Sequence, residues 1–342
     1  MSLMNPYVLK LSPILMPKVW GGRRLADWGK QLPSAGSAQA MIGESWELAD
    51  LAATSASGGG GAAARSVVQN GPLAGKTLHD AMEAFGAAQM LGIVQPTPEG
   101  NFPLLVKYLD AREHLSVQVH PSIAYAKANP GANIKTECWY ILSAEPVNGQ
   151  PPVIFKGVKP GVTREKFEKS IADGTVVECM VAVPAIAGEC HNLPSGTVHA
   201  LGAGVLVAEV QTPSDTTFRV YDWAKEYGRT GRELHVAQSL ACIAFEQARE
   251  ATRRGPSEKR CRHVTTGYFE LDELAIEIGE RAALWPEDES GPRPVVVMCV
   301  AGRVCIADVW IAKGETALVP AGLARTVLEA DQSALALVAR VR

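Results

Sequence analysis

Short apolar runs that end at glycine, proline or asparagine recur along this chain of 342 residues, which contains 32 glycines and 22 prolines. One such run is VLVAEVQ, from Val205 to Gln211. Runs of this length between turn residues are typical of the strands of sandwiches and barrels. We therefore expect a mainly β protein. Apolar residues make up 47% of the chain, which is ample for a large core and more than one domain.

Helical periodicity is confined to a few segments. Between Thr163 and Asp173, Phe167 and Ile171 lie four residues apart among charged residues, and Thr163 is placed to cap the helix. Two further helices are predicted at Leu78 to Phe85, with Lys76 and Thr77 at its start, and at Leu234 to Arg249.

Two stretches are predicted to be loops or linkers. Ser55 to Ala64 contains four consecutive glycines and is predicted to be a flexible surface loop. Glu250 to Arg262 is polar and charged, contains Gly255-Pro256, and is predicted to be a linker. The predicted domains are therefore residues 1–250, which would hold the metal site and the helices at about 163–173 and 234–249, and residues 264–342, joined by a linker at 251–263.

One short pattern occurs on both sides of this linker. Gly188-Glu189, three residues, then Leu193-Pro194-Ser195-Gly196 recurs with identical spacing as Gly314-Glu315, three residues, then Val319-Pro320-Ala321-Gly322. Three residues after its last glycine the first copy has His199, whereas the second has Arg325. We expect two copies of one unit, of which only the first binds metal. The alternative is chance recurrence of a glycine-proline turn.

Three stretches supply metal-ligand side chains. In LSVQVHP (Leu115 to Pro121), Ser116, Gln118 and His120 share one face of a predicted strand, because successive side chains alternate. KTECWY adds Glu137, and PSGTVHA adds His199. Two nitrogens and two oxygens suit a borderline divalent cation, with zinc expected first and manganese, cobalt or iron as alternatives. The competing interpretation is ordinary polar residues on strand faces.

The charge of this set would favour catalysis over a structural role. Gln118 is neutral and only Glu137 is anionic, so a bound dication would keep about one net positive charge. Such an ion polarises a carbonyl or hydroxyl and attracts an anionic substrate. Structural zinc sites are more typically built from cysteine thiolates.

Longer motifs point to a family. They are PKVWGG (Pro17 to Gly22), IGESWELAD (Ile42 to Asp50), FPLLVKYLDAREHLSVQVHP (Phe102 to Pro121), KTECWYIL (Lys135 to Leu142), PSGTVHALGAGVLVAEVQTPSDTTFRVYDW (Pro194 to Trp223) and GRELH (Gly231 to His235). In this order they resemble the type I mannose-6-phosphate isomerases, a cupin family, in their short bacterial form. The resemblance covers essentially the whole chain. It implies two cupin (jelly-roll) barrels, with a small helical segment in or after the first.

The resemblance also implies a site and a reaction. The family's zinc ligands correspond to Gln118, His120, Glu137 and His199, the set reached above from the strands. The implied reaction interconverts mannose 6-phosphate and fructose 6-phosphate through a cis-enediol.

The resemblance assigns roles to five other residues. Ser116 and Asp215 are implied to bind substrate, Glu209 to be catalytic, and Lys135 and Arg219 to do both. The base that moves the proton stays open between Glu209, Asp215 and a metal-bound hydroxide. Lys135 could otherwise be a solvated lysine at a strand start. Arg219 could otherwise be a buried arginine paired with Asp215 or Glu209.

Other functions compete with this isomerase. They are an isomerase of another sugar or sugar phosphate, a sugar-binding regulatory cupin without turnover, and a metal-dependent oxygenase. A net charge of −3 without a basic run argues against nucleic acid as a partner, and no apolar stretch approaches the ~20 residues of a membrane helix. Seven cysteines without a CxxC motif, and no signal peptide, predict a cytoplasmic protein. The oligomeric state is left open between a monomer and a small homo-oligomer.

Histidines outside the ligand set are expected to be structural or solvated. This applies to His79, His114, His235 and His263, whereas a role beside the metal ligands is considered for His191.

Overall fold

The structure is a computed structural model that describes residues 4–37, 40–55, 60–245, 248, 250–285, 291–323 and 325–342. Within these ranges the chain is mainly β, as predicted. The α-helices of the described residues are α1 (Leu78–Phe85), α2 (Ala87–Met90), α3 (Ile123–Ala128), α4 (Arg164–Asp173) and α5 (Val236–Cys242). Short 3-10 turns cover Arg24–Trp28, Gly71–Leu73, Val176–Cys179 and Ala321–Leu323.

The strands are numbered in chain order. The first sixteen are β1 (Leu9–Ser12), β2 (Ile14–Gly22), β3 (Ile42–Leu48), β4 (Asp50–Leu51), β5 (Ala64–Arg65), β6 (Val67–Val68), β7 (Leu105–Asp110), β8 (Val117–Val119), β9 (Glu137–Ala144), β10 (Val153–Val158), β11 (Met180–Pro184), β12 (Glu189–Leu193), β13 (His199–Leu201), β14 (Val205–Gln211), β15 (Phe218–Tyr221) and β16 (Thr252–Arg253). The others are β17 (Arg260–Thr265), β18 (Phe269–Ile276), β19 (Arg281–Ala283), β20 (Val295–Ala301), β21 (Arg303–Ile306), β22 (Val309–Ala312), β23 (Thr316–Val319), β24 (Val327–Ala330) and β25 (Ala334–Val341).

Four of the sheets stack as two sandwiches placed back to back. The first sandwich pairs a five-stranded sheet, β11-β10-β13-β8-β15, with a seven-stranded sheet, β16-β12-β9-β14-β7-β3-β2. The second pairs a seven-stranded sheet, β17-β18-β25-β20-β23-β1-β6, with a four-stranded sheet, β19-β24-β21-β22. One apolar core fills each sandwich, and the largest core lies between the two seven-stranded sheets. This is the predicted two-barrel fold.

Central strands of the second sandwich are apolar on both faces because each lies between two cores. In β20, Val295 and Val297 point into the second sandwich, whereas Val296 and Met298 point into the core between the sandwiches. Alternating side chains of a strand point to opposite faces, so a strand between two cores is a continuous apolar run. The short apolar runs of the sequence have this physical origin.

The N-terminal strand joins the second sandwich. β1 pairs with β23, with Leu9 opposite Leu318 and Lys10 opposite Ala317. In the polar segment predicted to be a linker, β16 extends the seven-stranded sheet of the first sandwich and β17 begins at Arg260. The division into residues 1–250, 251–263 and 264–342 stays a prediction.

The repeated sequence pattern marks the same place in both sandwiches. Gly188 has a φ of +86° and donates to the carbonyl of Ile141 at 2.9 Å; Gly314 has a φ of +84° and donates to the carbonyl of Cys299 at 2.8 Å. A side chain at Gly314 would place its Cβ 2.1 Å from the carbonyl oxygen of Trp28. Each glycine therefore forms the turn that leads into the next strand, where a positive φ is needed. At Gly314 a Cβ would also clash with the backbone of Trp28.

The two copies of the pattern lead to different residues. The first copy leads through a turn to His199, which is buried on β13. The second leads through the 3-10 turn Ala321–Leu323 to Arg325, which is exposed. That the second barrel binds no metal stays a prediction.

Two of the three predicted helices have the expected caps and bounds. Thr77 accepts from the backbone N–H of Asp80 in a capping box at α1, and Thr163 accepts from Lys166 N at α4. Phe167 is buried, as the pattern indicated.

The third prediction, a helix from Leu234 to Arg249, is wrong in extent. Ile243 leaves helical geometry, and Ala244 N donates to Gly196 O at 2.8 Å, which draws the chain toward the turn after β12. Residues 246, 247 and 249 of that prediction lie outside the described residues, as do residues 56–59 of the predicted glycine loop. Among the described helices, none has the length and apolar character needed to span a membrane.

A buried ion pair links the sandwiches. Lys30 Nζ donates to Glu47 Oε2 at 2.7 Å and to the carbonyl oxygen of Gly314 at 2.5 Å. Glu47 also accepts from Ser45 Oγ, and Thr316 Oγ lies 3.5 Å from it. Burial raises the pKa of Glu47 by more than Lys30 lowers it. The carboxylate therefore depends on Lys30 for its charge compensation.

Replacing Lys30 should test this link. We expect Lys30→Met to lower the free energy of unfolding by about 3–5 kcal/mol, because a buried charge loses its partner. Urea denaturation followed by circular dichroism measures the loss. The double variant Lys30→Met/Glu47→Gln should recover much of it, since the charge itself is removed. A double variant no more stable than the single one would show that lost packing, and not the unpaired carboxylate, causes the effect.

Candidate metal centre

A row of polar side chains crosses the five-stranded sheet of the first sandwich. Lys156 pairs with His199, His199 with Gln118, and Gln118 with Arg219. Directly paired residues of neighbouring strands point to the same face. All four side chains therefore face the seven-stranded sheet across the interior of the first sandwich.

The alternation predicted for the Ser116 segment holds. Ser116 and Gln118 line a cavity, and His120 follows the last residue of β8 and is buried. Val117 and Val119 point the other way, into an apolar core behind the sheet. The strand is short, and the interleaved valines fix which face carries the polar side chains.

His120, Glu137 and His199 form a compact buried cluster whose candidate ligand atoms all lie within 4.8 Å of one another. Glu137 comes from β9 of the opposite sheet. Its Oε1 lies 3.1 Å from His199 Nε2, and its Oε2 lies 3.5 Å from His120 Nε2. The amide of Gln118 lies beside them, 3.2 Å from His199 Nε2. The fold thus gathers the four predicted ligands from three separate stretches of chain.

Backbone carbonyls orient both imidazoles. His120 Nδ1 is 2.9 Å from Thr216 O, and His199 Nδ1 is 2.8 Å from Thr197 O. Each carbonyl can only accept, so Nδ1 carries the proton and Nε2 presents a lone pair. Metal-ligating histidines in proteins are oriented in this way.

The interior of the cluster lacks hydrogen-bond partners. Among the described residues, His120 Nε2 and both carboxylate oxygens of Glu137 are buried and accept no hydrogen bond. Lys135 Nζ forms an ion pair with Glu137 Oε2 at 2.6 Å without hydrogen-bond geometry. Buried polar atoms are normally paired, so these converging acceptors fit a divalent cation.

Charges around the cluster favour the protonation states that a metal requires. Burial and Lys135 lower the pKa of His120 to about 3, although Glu137 acts in the opposite direction. Burial alone would raise the pKa of Glu137, but Lys135, His120 and His199 hold it well below its ordinary value. At neutral pH the imidazole of His120 is neutral and the carboxylate is charged, as ligands must be.

A cavity of about 80 Å³ lies beside the cluster. Its lining includes every residue predicted to bind substrate or act in catalysis: Ser116, Lys135, Glu209, Asp215 and Arg219. The structure therefore brings these residues together beside the candidate ligands, and their individual roles stay predictions.

The two candidate bases, Glu209 and Asp215, have defined partners. Trp139 Nε1 donates to Glu209 Oε2 at 2.8 Å, and Lys107 lies 3.3 Å from Glu209 Oε1. The backbone N–H of Ser55 donates to Asp215 at 2.6 Å. These contacts hold both candidate bases in one orientation.

Two alternatives considered from the sequence do not match the contacts. Lys135 is buried, and although burial alone would lower its pKa, Glu137 and Glu209 raise it. Arg219 donates to the carbonyl of Glu233 at 2.8 Å, and its nearest carboxylate is Asp222, at 4.0 Å. Lys135 is therefore not a solvated lysine, and among the described contacts Arg219 pairs with neither Asp215 nor Glu209.

Sequence reasoning missed several cavity residues. Lys18 and Lys107 flank Glu44, at 3.4 and 3.8 Å, and Arg232 also lines the cavity. Burial alone would raise the pKa of Glu44, but the two lysines lower it to about 2. The sequence feature that could have revealed these residues is Lys107, which lies within the apolar strand LVKYLD. A charged side chain at that position must face a polar interior.

Most of the remaining histidines have ordinary partners. His79 contacts Asp50 at 3.1 Å, and His263 contacts Glu273 at 2.8 Å. His191 is buried, and neither of its ring nitrogens has a hydrogen-bond partner among the described residues. It pairs in register with Trp139, whose ring packs edge-on against His199 at 5.1 Å. His191 is therefore separated from the candidate ligand His199 by one residue, Trp139.

Comparisons with known proteins agree with one another. Residues 8–140 match the family model described as "Phosphomannose isomerase type I, catalytic domain". The chain is 38% identical over 246 residues to the probable mannose-6-phosphate isomerase GmuF of Bacillus subtilis, covering 69% of this chain and 68% of that protein. It is 36% identical over 242 residues to the mannose-6-phosphate isomerase of Streptococcus mutans, covering 69% and 67%.

A solved structure of a mannose 6-phosphate isomerase is also similar to this chain along nearly its whole length. The crystal structure of the mannose 6-phosphate isomerase from Bacillus subtilis superimposes with a TM-score of 0.78 and 27% identity, covering 97% of this chain and 99% of that one.

Metal binding can be tested directly at this cluster. We expect one zinc ion per chain, measured by inductively coupled plasma mass spectrometry after dialysis. His199→Ala should weaken binding by more than about 100-fold, because losing a ligand costs more than the ~10–100-fold of an outer-shell change. His79→Ala, whose ring contacts Asp50 instead, is the control and should keep its metal. Equal metal content in both variants would place the ion elsewhere.

Proposed function

The chain belongs to the type I phosphomannose isomerase family and acts as an isomerase of mannose 6-phosphate, and we propose that it works with a zinc ion held by Gln118, His120, Glu137 and His199. The product is fructose 6-phosphate, and the proton moves between C2 and C1 through a cis-enediol. One observation carries the proposal. Converging acceptors on His120 and Glu137, buried and without hydrogen-bond partners among the described residues, open beside a cavity lined by acidic and basic side chains.

The ligand set supports zinc over a redox metal. Two imidazoles, one carboxylate and one neutral amide leave a bound dication with about one positive charge. When bound, zinc supplies a Lewis acid that polarises the oxygens on C1 and C2 and stabilises the charge of the enediolate. An oxygenase would more typically bind iron through histidines, with positions open for oxygen.

Glu209 is the proposed base. Its carboxylate lines the cavity on the sheet opposite Gln118 and His199, and both of its oxygens are held, by Trp139 N–H and by Lys107. A base in a fixed orientation can remove a proton from one carbon and return it to the neighbouring carbon. Asp215 lines the same cavity and is the competing candidate.

Lys135 and Arg219 are proposed to position the substrate. Lys135 stays protonated between Glu137 and Glu209, so its ammonium can donate to a sugar oxygen near the reacting carbons. Arg219 is the register neighbour of Gln118 on the next strand, so its guanidinium reaches the cavity next to the ligands. Ser116 and Asp215 are proposed to complete the contacts to the sugar.

Two other functions remain to be tested against this one. An isomerase of another sugar or sugar phosphate would use the same ligands and base. A regulatory sugar-binding protein would bind without turnover, although it would have no need of a buried carboxylate such as Glu209 held toward the cavity. Substrate panels separate the first from the proposal, and turnover separates the second.

A coupled assay of the zinc-loaded protein with mannose 6-phosphate tests the reaction. We expect fructose 6-phosphate from the parent and none above background from His199→Ala, because that variant loses a ligand. A metal-loaded parent that leaves mannose 6-phosphate unchanged would remove this substrate and bring the other sugars or a regulatory role forward.

Glu209→Gln and Asp215→Asn together identify the base. We expect Glu209→Gln to lower kcat by about 10²–10⁴-fold, the usual contribution of general base catalysis, while metal content is kept. Exchange of the C1 or C2 proton with deuterated solvent, followed by NMR, should fall in parallel. A larger loss of exchange in Asp215→Asn than in Glu209→Gln would assign the base to Asp215 instead.

A further inference from the structure

The basic side chains of the cavity fall into two groups. One group is neutralised: Lys18 pairs with Glu44 at 3.4 Å, and Lys107 lies between Glu44 at 3.8 Å and Glu209 at 3.3 Å. Lys135, the third lysine of the cavity lining, pairs with Glu137 at 2.6 Å, so three lysines face three carboxylates. This group therefore has no surplus positive charge to offer an anion.

The other group has such a surplus. Arg232 donates three hydrogen bonds to Asp222: its backbone N–H reaches Oδ2 at 2.8 Å, and its Nε, at 2.7 Å, and its Nη2 both reach Oδ1. Arg219 Nε lies 4.0 Å from the same carboxylate. Both guanidiniums line the cavity, and among the described ion pairs Asp222 is the carboxylate within 4.0 Å of either. Asp215 also lines the cavity, but no described contact brings it within 4.0 Å of either arginine.

Arg219 lacks part of its hydrogen bonding. Its Nε is buried and has no hydrogen-bond partner among the residues that the structure describes, although its Nη1 donates to Glu233 O. Burial and the positive charge of Arg232 lower the pKa of Arg219 against the opposite effect of Asp222 and Glu233. Two close guanidiniums with an unpaired donor are the arrangement that an oxyanion stabilises.

The position of the pair relative to the metal ligands fits a sugar phosphate. Arg219 pairs with Gln118, and Gln118 pairs with His199, so Arg219 is two strands, or about 10 Å, from His199 along the sheet. A hexose with C1 and C2 at the ligands has its C6 phosphate at the far end of a six-carbon chain. A hexose lying along the sheet from His199 toward Arg219 would bring this end to the two arginines.

We propose that Arg232, fixed by Asp222, joins Arg219 to form the subsite for the substrate's phosphate dianion. The proposal rests on the proposed function for the identity of the sugar phosphate. Arg232 acts as a binding and specificity-determining residue, since an unphosphorylated sugar cannot use it. Asp222 is a positioning residue that holds the guanidinium toward the cavity.

Steady-state kinetics of Arg232→Gln test the subsite. We expect KM for mannose 6-phosphate to rise about 10- to 100-fold, the range for losing charge-assisted hydrogen bonds, while kcat changes by less than about 3-fold. Arg232→Lys should recover part of the loss, because it keeps the charge and loses the fork geometry. Arg229→Gln is the matched control, since Arg229 also lies near Asp222, at 3.8 Å, and is not among the cavity residues.

A binding measurement separates this inference from the proposed function. Inorganic phosphate is titrated by calorimetry into the metal-loaded parent, Arg232→Gln and Arg229→Gln, after thermal unfolding and metal content show that each is folded. We expect phosphate affinity to fall about 10-fold or more in Arg232→Gln alone. Unchanged phosphate affinity and unchanged KM in Arg232→Gln, or the same losses in Arg229→Gln, would overturn the subsite. A parent that binds phosphate through Arg232 yet fails to isomerise mannose 6-phosphate would overturn the proposed function and leave the subsite standing.

Discussion

The first sandwich is organised around a carboxylate that is fully removed from water. Glu137 is buried at the start of β9, where an uncompensated charge would be strongly destabilising. Lys135 and two imidazoles converge on it, and backbone carbonyls turn both imidazoles so that their Nε2 atoms face it. The same contacts that make burial of this charge tolerable build a site for a cation. Structural and chemical requirements therefore coincide at one residue.

The back-to-back arrangement of the two seven-stranded sheets keeps this site in place. β9, β14 and β7 present apolar side chains to the core between the sandwiches, whereas their opposite faces carry both apolar side chains and the polar residues of the site. In β14, Leu206 and Ala208 face that core, whereas Glu209 faces the cavity. The second sandwich thus supports the sheet that carries Glu137, Glu209 and Lys107. Because packed cores resist volume changes, this support fixes the distances between the two sides of the cavity.

Charge is distributed unevenly around the cavity, and this unevenness gives the substrate a direction. The three lysines of the cavity lining are neutralised by Glu44, Glu137 and Glu209. At the metal ligands a dication would keep about one positive charge, and beyond Gln118 two arginines share Asp222. A sugar phosphate has one polarisable end and one dianionic end. The two ends of such a substrate therefore match the two sites of excess positive charge, which are the metal ligands and the arginine pair.

Local chemistry in the sequence was enough to predict much of this protein. Alternation identified the polar face at Ser116, Gln118 and His120, glycine and proline spacing identified the repeated turn, and Thr77 and Thr163 identified two helix starts. These features depend on residues a few positions apart, so they can be read without the fold.

The tertiary structure alone decided that β1 pairs with β23, that α5 ends at Cys242, and that Lys30 is buried against Glu47 and Gly314. It also decided that Arg232 and Lys107 line the cavity with the predicted residues. Each of these outcomes depends on contacts between distant segments, whose pairing is set by the packing of whole sheets and leaves no periodic trace in the chain.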